Sequence, residues 1–143
     1  MTKPPTYDKE ELEEKIARLN KIASEINQSL KIALDHLYNV EKRIAKELNP
    51  IGYIEYAHDL LVETIAIQCI IDDAIDAIIA TTLYPDPDIE KYEREYNVSF
   101  GYDTESLIGV VLLREGGKVK PVVIWRSGAN INYWEGEPRA EDH

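Results

Sequence analysis

Apolar residues in the first part of the chain recur at alternating intervals of four and three: Leu12, Ile16, Leu19, Ala23, Ile26, Leu30, Ala33, Leu37, Val40 and Ile44. A seam of this period predicts one long helix with a coiled-coil-like stripe, running from 9 to 48. Its start is marked twice. Asp8 and Glu11 stand at the two positions of a capping box, and Tyr7 and Leu12 at those of a hydrophobic staple. The first strong breaker is Asn49-Pro50, with Pro50 suited to the opening turn of a second helix over 50–83. That helix is apolar almost all round its middle, through Leu60-Leu61-Val62, Ile65-Ala66-Ile67 and Cys69-Ile70-Ile71. A helix covered by a single neighbour needs only one apolar stripe. The girth of the second helix therefore calls for more partners than the first helix supplies, either a sheet of the same chain or a second copy of the protein.

After Tyr84-Pro85 the period changes. Asp86 and Pro87 predict the start of a short connector helix over 86–96, and the pattern then alternates at two. Val98, Phe100 and Tyr102 share one face, Leu107 to Leu113 is continuous and β-rich, and Val119 to Trp125 returns after a turn at Gly116-Gly117. Pro121 favours an edge or a bulge for the return strand. Ile131, Tyr133 and Trp134 suggest a last short strand, and residues 136–143 have no apolar period and read as a mobile tail. The expected fold is a single α+β domain. It has a long antiparallel helical hairpin, coiled-coil-like, with a small C-terminal antiparallel sheet of three to four strands over 97–135.

Composition narrows what such a domain can do. The 143 residues carry 16 Lys and Arg against 27 Asp and Glu, a net charge of -11. Phosphate contacts need clustered Lys and Arg, so this balance argues against direct nucleic-acid binding. One cysteine, Cys69, permits neither an intrachain disulfide nor a thiolate metal cluster, and it reads as a small, inert core residue. No apolar run is long enough to span a membrane and no leader pattern opens the sequence, so the cytoplasm is the expected compartment. The three histidines have no metal-ligand spacing, and no nucleophile motif or phosphate loop is present. No catalytic residue and no cofactor is expected.

One motif invites chemistry. Asp72-Asp73-Ala74-Ile75-Asp76 resembles the aspartate-rich motif with which isoprenoid chain synthases hold Mg²⁺ and a diphosphate, and carboxylates at i, i+3 and i+4 do share a helix face. The resemblance covers five residues. Those enzymes use two such motifs in a much longer all-helical chain, and this sequence has one. Together with Glu55, Asp59 and Glu63 the aspartates also resemble the carboxylate set of all-α nucleotide pyrophosphatases of the MazG kind. That family presents its acids from facing helices, whereas these lie along one. A Mg²⁺-dependent phosphohydrolase using Asp72, Asp73 and Asp76 is therefore the alternative reading, and a solvated acidic face is the first.

The same face is unbalanced. Between Lys46 and Lys91 there is no Lys or Arg, while Glu55, Asp59, Glu63, Asp72, Asp73 and Asp76 fall inside the gap. A basic protein surface would relieve that charge, and Trp125 and Trp134 on the sheet are natural anchors for a protein partner. The expectation is a non-enzymatic interaction protein, a regulatory, inhibitory or accessory subunit of the kind frequent among viral and mobile-element proteins. Its partner-binding residues are Glu55, Asp59, Asp72, Asp73, Asp76, Trp125 and Trp134, and it works as a homodimer. A structural subunit of a larger assembly is a further alternative.

Overall fold

The computed structural model describes residues 4–47, 50–101 and 106–139; the side chains at 44, 45, 50–58, 60 and 61 lie outside the description. In chain order the elements are β1 (Thr6–Asp8), α1 (Lys9–Glu47), α2 (Pro50–Leu83), α3 (Ile89–Tyr96), β2 (Val98–Ser99), β3 (Leu107–Glu115), β4 (Lys118–Ser127), β5 (Asn130–Trp134) and β6 (Glu137–Pro138). The strands form a four-stranded sheet in the order β1-β3-β4-β5 and a two-stranded one of β2 and β6.

The β3–β4 ribbon is the centre of the molecule. It turns at Gly116 and Gly117, whose φ values of 59° and 77° are the left-handed pair that a tight two-residue hairpin needs. Both of its faces are apolar, so both must be covered. On one, Val111, Leu113, Val122 and Ile124 pack with Leu12, Ile16, Leu19 and Ala23 of α1 and with Ile75, Ile79 and Leu83 of α2. On the other, Val110 and Val123 pack with Tyr92 of α3 and with Phe100.

The class is thus α+β, but the architecture is not the coiled-coil-like helical hairpin that the heptad seam suggests. Three helices and two sheets share the burial, and among the described residues of the seam burial ends at Ala23. Ile26 and Leu30 are half-buried, and Leu37 and Val40 are exposed. The physical reason is the width of the sheet. Its apolar face takes the first turns of α1 and the last turns of α2, and that contact replaces a continuous zip of one helix on the other. The turn at Asn49, the side chains of Leu60 and Leu61, and the end of the chain from 140 to 143 lie outside the described residues.

Three further differences have local causes. β1 lies parallel to β3, Thr6 opposite Leu112, and Tyr7 is a core residue whose hydroxyl donates to the Leu83 carbonyl at 3.0 Å, closing the end of α2. Residues 136–139 are not a free tail. Gly136 lies so close to the Phe100 ring that a Cβ there would stand 2.9 Å from it, and Glu137–Pro138 pair with Val98–Ser99. The connector helix starts at Ile89 with Asp88 as its cap. Asp86, the expected cap, instead bridges to β3 through backbone hydrogen bonds of 2.8 Å in both directions with Val110. Gly109 permits this approach, since a Cβ there would meet the Asp86 carbonyl at 2.7 Å.

Pro121 sits inside the sheet, in β4 and opposite Leu112, rather than on an edge. The Leu112 N–H points the other way, to the Pro5 carbonyl, so the two residues form a pair without hydrogen bonds, and the proline nitrogen faces away from β3. On that side β5 ends at Trp134, opposite Val123, so no ladder bond is lost.

The open edge at β5 is closed by a side chain. Asn20 of α1 accepts from the Ile131 N–H and donates to the Ile131 carbonyl, both at 2.7 Å, as a neighbouring strand would. Asn132 accepts from the Tyr133 N–H at 2.8 Å. An uncapped edge is a template for pairing with other chains. Replacing Asn20 with Ala should cost about 1–3 kcal/mol of unfolding free energy, because it strips a buried residue of both partners. Hydrogen exchange should show the Ile131 amide losing its protection.

A pH prediction follows from Asp86. The Asp88 N–H, and after it the Tyr92 hydroxyl at 2.8 Å, hold its carboxyl below the ordinary value of 3.8. A depressed folded-state pKa adds stability that is complete above the unfolded value and lost as pH falls through the folded one. Asp86→Asn should therefore be less stable than the parent at pH 7, and the gap in chemical-denaturation curves should close only when pH is taken below 3.8.

Candidate interaction surface

Asp72 and Asp76 lie one turn apart on α2, on the side facing the sheet. Strand alternation sends Arg126 of β4 to the same side as Val122 and Ile124, and its guanidinium enters between the two carboxylates. Nε donates to Asp76 at 2.8 Å, and one terminal nitrogen donates to Asp72 at 3.3 Å and to the Gly128 carbonyl at 2.7 Å. The Arg126 side chain is only 13% exposed, against about half for each aspartate. Burial works against its charge, but the hydrogen bond and field of Asp76, with those of Asp72, outweigh it and raise its pKa above the ordinary arginine value.

This contact is a clamp between α2 and the sheet. Two of the three carboxylates in the supposed metal motif are committed to it, while Asp73 is exposed on the helix surface. Among the described residues no group of three or more His, Cys, Asp and Glu side chains is placed to hold a metal ion. The sequence marks Arg126 only as one of four basic residues on the strands. Its pairing with acids fifty residues earlier has no local signature.

The other strand cations are also dispersed. Arg114 pairs with Asp8 at 3.5 Å, and Lys120 pairs with Glu115 at 3.0 Å and Glu135 at 3.1 Å. Trp125 and Trp134 project from the face of the sheet opposite Arg126, Trp125 half-buried and Trp134 49% exposed. The expected partner-binding residues therefore fall on separate surfaces, with the tryptophans away from the acidic helix. Asp59 is exposed on α2, and the side chain of Glu55 lies outside the described residues.

The outward side of α2 carries what remains. Val62 and Ile70 are 53% and 67% exposed, beside exposed Asp59, Glu63 and Asp73. Cys69 is exposed here as well, not a core residue as its apolar neighbours suggest. The apolar girth of α2 is real, but among its described residues only Ile75, Ile79 and Leu83 are buried in the core, with Ile71 and Ile78 packed against it. Among the described residues no ion pair joins α1 to α2. No helix among the described residues is long and apolar enough to cross a membrane.

No family model matches the chain, and no curated protein or solved structure matches it.

Replacing Arg126 with Ala should destabilise the protein by about 1–2 kcal/mol, since the bonds are charge-assisted but both acids keep access to water. Thermal melts of the two proteins should draw closer in 0.5 M salt, as screening weakens the contact in the parent. Equal stability at low salt would remove the clamp from the account.

Proposed function

We propose that the chain is a non-enzymatic protein-interaction module whose outward α2 face docks a partner with a basic, partly apolar surface, as a regulatory or accessory subunit does. The observation that carries this reading is the composition of that face. Large aliphatic side chains more than half exposed, Val62 and Ile70, lie among Asp59, Glu63 and Asp73 with no Lys or Arg on the helix. Apolar residues supply contact area and the surrounding carboxylates supply steering and partner choice. Asp72 and Asp76 have a structural part in this scheme, holding α2 against the sheet so that the opposite side of the helix is presented.

The test is affinity capture from the native host with two baits, the parent chain and a variant carrying Asp59→Lys, Glu63→Lys and Asp73→Lys. A partner with a basic surface should be held by the parent, released by rising salt and missed by the variant. Equal capture by both baits would contradict the reading, as would Mg²⁺-dependent turnover of a nucleotide or diphosphate that is lost on changing Asp73 to Asn.

A further inference from the structure

We infer that the edge of β2, with the Phe100 ring and the Glu93 carboxylate, is a binding site for an extended peptide of the pattern Gly-x-Pro-Arg, and that the chain's own Gly136–Arg139 occupies it as a displaceable strap. The site lies on the other side of the sheet from α2, away from the docking face proposed above.

The groove owes its shape to residues other than the strap. Asn97, in the left-handed region at a φ of 55°, ends α3 and turns the chain into β2, and Phe100 packs with Tyr92, Val110 and Val123. Val98 and Ser99 pair antiparallel with Pro138 and Glu137, which sets Phe100 opposite Gly136 and Asn97 opposite Arg139. The Arg139 N–H donates to the Asn97 carbonyl at 3.0 Å. Bonded and open pairs alternate along an antiparallel ladder, so Val98–Pro138 is an open pair and the proline loses no bond. At one end the buried Phe100 ring is a floor on which only glycine fits, since a Cβ at position 136 would lie 2.9 Å from two ring carbons and 3.1 Å from the Ser99 carbonyl oxygen. At the other end, Glu93 accepts from the Phe100 N–H at 3.1 Å, and the Arg139 guanidinium stands 3.8 Å from the same oxygen. Main-chain bonds along a strand edge, with a place for a particular residue at each end, are how strand-adding sites recognise peptides.

The strap itself is lightly held. Glu137, Pro138 and Arg139 are all exposed, so it buries no apolar side chain of its own. Segments with so few buried contacts open at the lowest local free energies. Pro138 fixes its own φ and keeps Glu137 extended, so the segment is shaped for the groove before it docks. Just before it, Glu135 is tethered to Lys120 at 3.1 Å, which confines opening to 136–139. What the strap covers, the β2 edge and the Phe100 ring, is unfavourable to leave wet. The strap therefore gives way to a competing segment rather than leaving an empty groove. Charge selects the competitor. The chain's net charge of -11 draws basic segments toward it, and an incoming arginine that approaches Glu93 more closely than 3.8 Å improves on the strap.

The probe is a fluorescein-labelled peptide, Glu-Gly-Glu-Pro-Arg-Ala, read by fluorescence polarisation against three full-length chains: the parent, Gly136→Val and Arg139→Glu. Gly136→Val cannot reseat its strap, because a side chain there meets Phe100 and is strained at a φ of 78°. Both variants should keep the parent's circular dichroism. The peptide should bind Gly136→Val with a dissociation constant at least about tenfold below that for the parent, whose tethered strap competes at an effective concentration in about the millimolar range. Arg139→Glu, which keeps the glycine seat, should fall between the two, and it carries the comparison if Gly136→Val does not fold. Peptides with Ala in place of Gly, or Glu in place of Arg, should each bind the opened chain at least about tenfold more weakly. Equal binding by the parent and the variants, no binding to a variant with parent-like circular dichroism, or indifference to the glycine of the peptide would overturn the inference. So would a parent dimer that forms on concentration and is lost in Gly136→Val, since the occupant would then be the strap of a second copy.

Discussion

A two-stranded ribbon that is apolar on both faces is the constraint on which the rest of the structure depends. Val111, Leu113, Val122 and Ile124 on one side and Val110 and Val123 on the other cannot be left wet, since each buried aliphatic side chain contributes about 1.5–3 kcal/mol. Two different covers answer the two faces. The ends of α1 and α2 take the first, and α3 with the loop carrying Phe100 takes the second. β1, the Asp86 bridge and the Asn20 cap then close the edges. Because the ribbon is much shorter than α1, about 58 Å at 1.5 Å per residue, the helices run beyond their cover. The remaining apolar surface of α1 and α2 is a consequence of that mismatch in length.

The acidic residues divide along the same lines. Those on the sheet side of α2, Asp72 and Asp76, meet Arg126 and hold the helix in place. Asp59, Glu63 and Asp73 are turned outward and exposed. An acidic sequence motif is thus split by the period of a helix into a structural half and a surface half. The spacing of three and four that suggested a shared metal site is the same spacing that lets one guanidinium bridge two carboxylates.

Much of this was legible in the sequence wherever the governing interaction is local. The period of 3.6 in α1, the breaker before Pro50, the left-handed pair Gly116–Gly117 and the alternation in β3 and β4 all act within a few residues. What was not legible depends on contacts between distant positions. The heptad seam specifies a good apolar stripe but not what covers it, and a sheet outcompeted the neighbouring helix. Thr6-Tyr7-Asp8 carries no strand signal of its own and becomes β1 only because Leu112 to Arg114 offer a free edge. Asn20 is an unremarkable polar residue in a helix until Ile131 is placed beside it. Within the candidate surface Asp59 and Trp134 are exposed, whereas the commitment of Asp72 and Asp76 to Arg126 required knowing that β4 lies across α2.

The central claim is that stability resides where the helices meet the sheet, and that the helical surface beyond it is available for association. Hydrogen exchange read by mass spectrometry on a dilute, monomeric sample tests it most directly, because local opening free energy tracks burial of apolar contacts. The account predicts slow exchange in β3, β4, the first four turns of α1 and the last turns of α2. It predicts markedly faster exchange over 30–47 and 50–70. Uniformly slow exchange along both helices in that sample would contradict it.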